Sequence, residues 1–305
     1  MLSANTTPEE HPADNYILSN DPLVAGLPDT PAPVICDYCA AERHTKGFSL
    51  LGMKIWWNPG GAESCICPEG RRDHERAVIE REMHDEAERK AEEDAKMRKR
   101  VARVVGESGM GERFLQRTFM TFVTDTPERK QAARTAKEYV ENFDNRLPKR
   151  GEPLPERNGF FISGTKGSGK THIAAAIANY LLSNGTAVIC MTERDLFGRI
   201  RRTYSRDGGD ESEVLETYKR VPLLIIDDLG KEKPTDWTIS TLYSIIDGRY
   251  DRAMPLIITT NYDPDSLARR LTPQGDDGTT AECIIDRMNE VCAAIILTGK
   301  SWRTK

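Results

Sequence analysis

The chain has 305 residues, of which 30% are charged and 38% hydrophobic, and it carries a formal net charge of −5. That length accommodates one nucleotide-binding domain of about 150–200 residues and a smaller companion, while the charge balance argues against a uniformly basic nucleic-acid binder. No apolar run approaches the ~20 residues of a membrane helix, and the opening MLSANTTPEEHPAD lacks the charged-then-apolar profile of a signal peptide, so a cytoplasmic protein with no membrane partner is expected.

Residues 1–33 are rich in Pro, Asn, Asp and Thr, and the first thirty include Glu9, Glu10, Asp14, Asp21 and Asp29 without a Lys or Arg. Such a segment has too little apolar surface to offset the entropy of ordering, and a flexible acidic tail is expected. Residues 34–72 read as a small metal-stapled module. Cys36-x-x-Cys39 and, after 25 intervening residues, Cys65-x-Cys67 flank the apolar FSLLGMKIWW and a Pro-Gly-Gly turn. In a cytosolic chain clustered cysteines are metal ligands or core residues rather than disulfides. Four thiolates from two knuckles suit a closed tetrahedral Zn2+ site, with His44 or His74 able to replace one ligand because the second knuckle is tight. Free buried thiols are the competing reading. Cys190, Cys283 and Cys292 stand in apolar contexts and read as core.

From Asp73 to Val105 there is no Gly or Pro and a high density of Ala, Glu, Lys and Arg, which predicts one long helix. Its thin stripe of Ile79, Met83, Ala87, Ala91 and Ala95 fits either a solvated connector or a docking face for a partner helix. Residues 106–305 then form the major domain. It opens with GERFLQRTFMTFVTD, anchored by Phe114, Phe119 and Phe122, and a helix through RKQAARTAKEYVENFD. A Pro-rich connector follows, and after it strands and helices alternate: strands near 160–163, 187–191, 222–226, 255–259 and 291–297, and helices near 170–182, 193–205, 211–219, 236–250 and from 264 onward. This pattern predicts an α/β fold with a parallel sheet flanked by helices.

The first of those strands enters Gly164-Thr165-Lys166-Gly167-Ser168-Gly169-Lys170-Thr171, which satisfies G-x-x-x-x-G-K-[ST] and runs directly into HIAAAIANYLL. In this setting the loop's N–H groups and the helix start gather around an anion, Lys170 reaches the β- and γ-phosphates of ATP, and Thr171 meets Mg2+. A glycine-rich turn that matches by chance is the rival reading; it leaves the two flanking elements unexplained. Leu223-Leu224-Ile225-Ile226-Asp227-Asp228 is a buried strand ending in two carboxylates at the sheet edge where ligands gather. Asp227 fits the metal-holding role, and Asp228 stands where a carboxylate polarises the attacking water, its short side chain favouring slow hydrolysis. Asn261, after a further apolar strand, is positioned to sense the γ-phosphate, although an Asn before YDPDSL also suits a turn or cap. Residues Glu193–Arg206 hold Arg199, Arg201, Arg202 and Arg206 with Phe197 and Tyr204, a candidate surface for single-stranded DNA or simply a solvated amphipathic helix.

The phosphate loop, LLIIDDLG, IITTN, IIDRMNE and LTGKSWR together resemble the AAA+ ATPases of the DnaC/DnaI helicase-loader family and their IstB-type transposition relatives, and RFLQRTFMTF and AKEYVENFD extend the likeness over residues 106–305. The resemblance implies an ATPase that acts with a replicative hexameric helicase and self-associates through its ATP site. It also implies that Arg287 is an arginine finger for a neighbouring subunit, that Arg303 is a second sensor arginine, and that the N-terminal half meets the helicase. Cys283 stands where the family often has an arginine, which leaves a second contact between subunits in doubt. An IstB-like transposition helper is the nearest alternative, and a P-loop small-molecule kinase a remote one.

Overall fold

The computed structural model describes residues 16–24, 27–49, 55–106, 112–149, 151–204 and 210–298. The chain divides into two compact units, Met1–Lys90 and Ala91–Lys305. Among the described residues no helix is long and apolar enough to cross a membrane.

In the first unit, β1 (Ile17–Leu18), β4 (Thr45–Ser49) and β5 (Ile55–Ala62) form an antiparallel sheet in the order β1-β4-β5. A second, two-stranded ladder pairs β2 (Val34–Ile35) with β3 (Glu42–Arg43). The expectation of a loose tail as far as residue 33 is corrected here. Ile17 and Leu18 pair with Gly47 and Lys46, Lys46 lies over the Tyr16 ring, and Val24 is buried with its carbonyl taking a bond from the Thr30 hydroxyl. Backbone pairing and one buried aliphatic side chain offset the ordering cost that composition alone suggests is too large. The first cysteine knuckle is the turn between β2 and β3. It is closed by Cys36 N–H to Ala41 O at 2.9 Å and Ala40 N–H to Cys36 O at 2.9 Å. The second knuckle lies between β5 and the start of α1 (Pro68–Val105).

Helix α1 is exposed over most of its length, as its charged composition demands, but its last turns belong to the second unit. There Val101 is buried, Met97 packs against the core, and Arg103 pairs with Glu213. The unit continues with α2 (Glu112–Leu115) and α3 (Pro127–Glu141), the latter started by Thr126, whose side chain accepts from Arg129 N–H, and by a proline in the first turn. Then come β6 (Gly159–Gly164), α4 (Lys170–Ser183), β7 (Val188–Thr192), α5 (Glu193–Arg202), α6 (Glu211–Arg220) and β8 (Leu223–Leu229). The chain closes with α7 (Asp236–Tyr250), β9 (Leu256–Thr260), α8 (Pro264–Leu271), α9 (Thr279–Val291) and β10 (Cys292–Leu297).

These five strands form one parallel sheet in the order β10-β6-β9-β8-β7. Strand alternation divides each apolar run between two cores. Phe160, Ile162, Leu223, Ile225 and Ile257 face the layer containing α3 and α4, whereas Phe161, Leu224, Ile226 and Ile258 face the layer of α5, α7 and α9. Burial on both faces is why the strands are continuously apolar in sequence rather than alternating. The α/β fold with a flanked parallel sheet is therefore as expected from the sequence.

One buried cation holds the edge of the sheet opposite the phosphate loop. Arg249, 1% exposed near the end of α7, donates to Tyr218 O at 2.6 Å, to Val221 O at 2.9 Å and to Pro255 O, tying the chain segments that enter β8 and β9. Burial pulls its pKa down to about 9, so the charge survives at neutral pH. Replacing Arg249 with Met leaves these carbonyls without their donor, a loss of about 3 kcal/mol. Thermal denaturation of Arg249→Met should register a fall of roughly 6–12 °C; an unchanged midpoint would show that water replaces the guanidinium freely.

Candidate functional site

The loop after β6 bends because its glycines take backbone angles other residues avoid. Gly164 has φ +141°, where a Cβ would stand 1.9 Å from Leu297 O on the neighbouring strand, and Gly169 has φ +108° at the start of α4. The loop is braced from the N-terminal side. Arg129, 3% exposed, donates to Ser168 O at 3.2 Å and to Asp125 at 2.7 Å, and Phe122 lies against Gly169 and edge-on to His172. His172 in turn bonds Thr118 O at 3.0 Å and the Thr121 hydroxyl at 3.2 Å, so RTFMTF is fastened to the first turn of α4.

Lys170 is buried, with its ammonium bonded to Gly164 O at 2.9 Å, Thr165 O at 2.8 Å and Asn261 Oδ1 at 2.9 Å. An ammonium has three protons to donate, and these acceptors match them. The loop lysine and the polar residue after β9, 91 positions apart, are thus in direct contact. Asp227 is 2% exposed at the end of β8. The Thr259 hydroxyl donates to its Oδ1 at 2.6 Å and accepts the N–H of Asp228 at 2.9 Å. Burial raises the pKa of Asp227 and the Asp228 charge adds to that, while Thr259, Thr171 and Arg117 oppose it. Asp228 has φ +61° in a break of the β8–β9 register, which turns its side chain away from the strand and into an ion pair with Lys231.

Glu193, at the start of α5, fixes the loop that carries Lys231. One carboxylate oxygen accepts the N–H groups of Gly230, Lys231 and Glu232 at 3.0, 3.1 and 3.1 Å. Burial pushes this carboxyl up and the three backbone donors pull it back. Two adjoining clefts open over these groups. One, of about 230 Å³, is lined by the loop with Arg117, Thr171 and Asp228; the other, of about 520 Å³, by Glu193, Arg194, Tyr262 and Arg270; Lys166, Asp228, Lys231 and Asn261 line both. The cradle fits a nucleotide phosphate chain: loop glycines, an ammonium, a hydroxyl and a carboxylate converge, and Ser168 Oγ and one Arg117 nitrogen are buried without a hydrogen-bond partner among the described residues. Thr171 and Asp227 are the groups there able to meet Mg2+.

The remaining sequence candidates lie elsewhere. Arg287, on α9, bonds Asp247 of α7 at 2.6 Å, lies over the Tyr243 and Tyr250 rings at 4.9 and 5.5 Å, and lines neither cleft. Arg303 and Arg206 fall outside the described residues. On α5, Arg201 lies over Trp237 at 4.8 Å, Trp237 donates to the Tyr204 hydroxyl, and Arg201, Arg202 and Tyr204 are exposed. Phe197 is corrected from a stacking candidate to a core residue: with Leu196 and Ile200 it forms the buried face of the helix. Thr259, Glu193, Arg129, Arg117 and His172 are site residues that sequence reasoning missed. Only the Thr-Thr pair ending an apolar strand offered a local signal.

In the first unit Cys36, Cys39, Cys65 and Cys67 gather within 4.8 Å of one another, without His44 or His74. The sulfurs of Cys36 and Cys67 are 3.7 Å apart and those of Cys39 and Cys65 3.3 Å. Tetrahedral zinc with bonds near 2.3 Å places sulfurs about 3.8 Å apart, so the donor set and spacing fit that ion. The backbone N–H groups of Tyr38 and Cys39 hold the Cys36 thiol down to about 6. Gly70, in the first turn of α1, donates to Cys67 Sγ at 3.3 Å, and a Cβ there would lie 2.8 Å from Cys65 Cβ and 3.0 Å from two sulfurs.

The profile of the family described as IstB-like ATP binding protein matches residues 155–305. Replicative helicase loader DnaC of Buchnera aphidicola subsp. Baizongia pistaciae is 28% identical over 190 residues, 62% of this chain and 70% of its own length. The chain carries an IstB/DnaC family domain. Crystal structures titled DnaI and DnaC helicase loader, each 26% identical, superpose on this chain with TM-scores of 0.51 and 0.50. They span 63% and 61% of it, and 93% and 99% of their own lengths. The phosphate-loop domain has the AAA+ fold, with the cysteine cluster N-terminal to it.

Two outcomes are expected from this geometry. A folded pKa above the unfolded value means that ionised Asp227 opposes folding at neutral pH, and that the penalty vanishes as pH falls towards about 4. Asp227→Asn should therefore raise the melting temperature at neutral pH, lose that advantage near pH 4, and lose Mg2+-dependent nucleotide binding; melts across pH check it. Gly70→Ala should weaken zinc retention about ten- to hundredfold, read by competition with a chromogenic chelator, and wild-type retention would mean that the packing against the sulfurs is loose.

Proposed function

We propose that this chain is an ATP-switched loader that binds a replicative hexameric helicase and delivers it to single-stranded DNA. The reading rests on homology to DnaC combined with one structural observation: the loop lysine, Asp228 and Asn261 line one cleft, with Asp227 hydrogen-bonded to Thr171 of the same cleft, whereas Arg287 sits on α9 outside it. An arginine that completes the site from a neighbouring subunit would make ATP turnover report assembly. Bound MgATP would contribute the phosphoanhydride bond and a divalent charge.

The chain's own residues divide the work. Lys170 and the loop N–H groups hold the phosphates, Thr171 and Asp227 hold the metal, Asp228 orients water, and Asn261 reports on the terminal phosphate through its bond to Lys170. Asp228 is shared with Lys231 and shorter than a glutamate, which supports slow hydrolysis suited to timing. Arg303 acts as the second sensor arginine. The four-cysteine unit binds zinc structurally, since four thiolates leave no open position, and with α1 as linker it contacts the helicase. Exposed Arg201 and Arg202 beside Tyr204 contact DNA, with Arg199 and Arg206 contributing charge.

The family description keeps an IstB-like transposition helper as the second reading; the N-terminal cysteine unit favours the loader. The test is to mix the protein with the replicative helicase of its own host under ATP and under ADP and size the products. A complex whose amount depends on the nucleotide, with hydrolysis rising with protein concentration and single-stranded DNA, is expected. No association in either nucleotide would overturn the loader.

A further inference from the structure

Arg117 lies well before the phosphate loop in sequence and outside that loop's own motif, yet its side chain lines the smaller cleft together with Gly167, Lys170, Thr171 and Asn261. Several contacts hold it there. Its carbonyl accepts the Asn179 amide at 2.8 Å from the outer face of α4, its neighbour Thr118 is bonded to His172, and its guanidinium rests over the Phe114 ring at 5.0 Å. None of these satisfies the charge. Arg117 makes no ion pair among the described residues, and one terminal nitrogen is buried with no hydrogen-bond partner.

A guanidinium has five donors to place, and a buried donor without an acceptor is unfavourable. Its field reaches the site: burial dominates the raised pKa of Asp227, and Arg117 is among the groups that oppose it. A polyanion in the cleft would offer the missing acceptors, and a planar guanidinium suits phosphate oxygens better than an ammonium does.

We propose that Arg117 is a phosphate-binding residue supplied by the segment that opens the same domain, a second fixed cation beside Lys170 on the triphosphate. The proposal rests on the nucleotide-binding reading of the cleft. It makes RFLQRTF part of the ligand site as well as its brace. Closure of that segment on α4 then becomes a condition for full affinity.

The test is calorimetric titration of the full-length protein with MgATP and with MgADP, comparing wild type, Arg117→Gln, Arg117→Lys and Lys170→Ala. Arg117→Gln is expected to weaken MgATP about tenfold, with a shallower salt dependence and a melting temperature near that of wild type, and Arg117→Lys to recover part of the loss. If Lys170→Ala binds as tightly as wild type, the nucleotide reading itself fails. If Lys170→Ala loses binding while Arg117→Gln keeps wild-type affinity, whether or not its melting temperature falls, Arg117 is structural and the proposal is overturned.

Discussion

Asp227 must be kept at the end of a strand whose four preceding residues are fully buried aliphatics, and much of the site follows from what that requires. A carboxylate so placed is unfavourable unless it is hydrogen-bonded or meets a cation. Thr259 answers the first need from the adjacent strand, and by accepting the Asp228 N–H with the same hydroxyl it also shapes the kink that turns Asp228 outward. The two carboxylates are adjacent in sequence but differ in surroundings, one buried and held, the other partly exposed and paired with Lys231. That difference suits two roles, one holding a metal and one handling water.

The two ends of the sheet use buried polarity in opposite ways. At the phosphate-loop end, charges stand in clefts where a ligand can reach them. At the other end Arg249 is enclosed and spends its donors on carbonyls of its own chain.

The strands, the phosphate loop, the carboxylates towards the end of β8 and the amide after β9 were legible in sequence because each depends on local pattern: apolar runs of strand length, glycines at fixed offsets, a carboxylate or amide at a strand end. What stayed hidden depends on partners distant in the chain. Thr259 meets Asp227 from 32 positions away, Glu193 meets a loop 37 to 39 positions on, and Arg129 reaches the phosphate loop across 39. The two residues of β1 are too few to display a period, so only their pairing with β4 reveals them. Phe197 is a different case. Its spacing with Leu196 and Ile200 marks the inner face of an amphipathic helix, a signal outweighed by the arginines around it.

The bonds of Lys170 to Gly164, Thr165 and Asn261 give the loop a set of internal acceptors. Nucleotide entry is then an exchange of partners rather than an addition to an open cradle. When such a ligand leaves, the two loop carbonyls and Asn261 stand ready to take the ammonium back, so the loop keeps its shape without help from the rest of the domain.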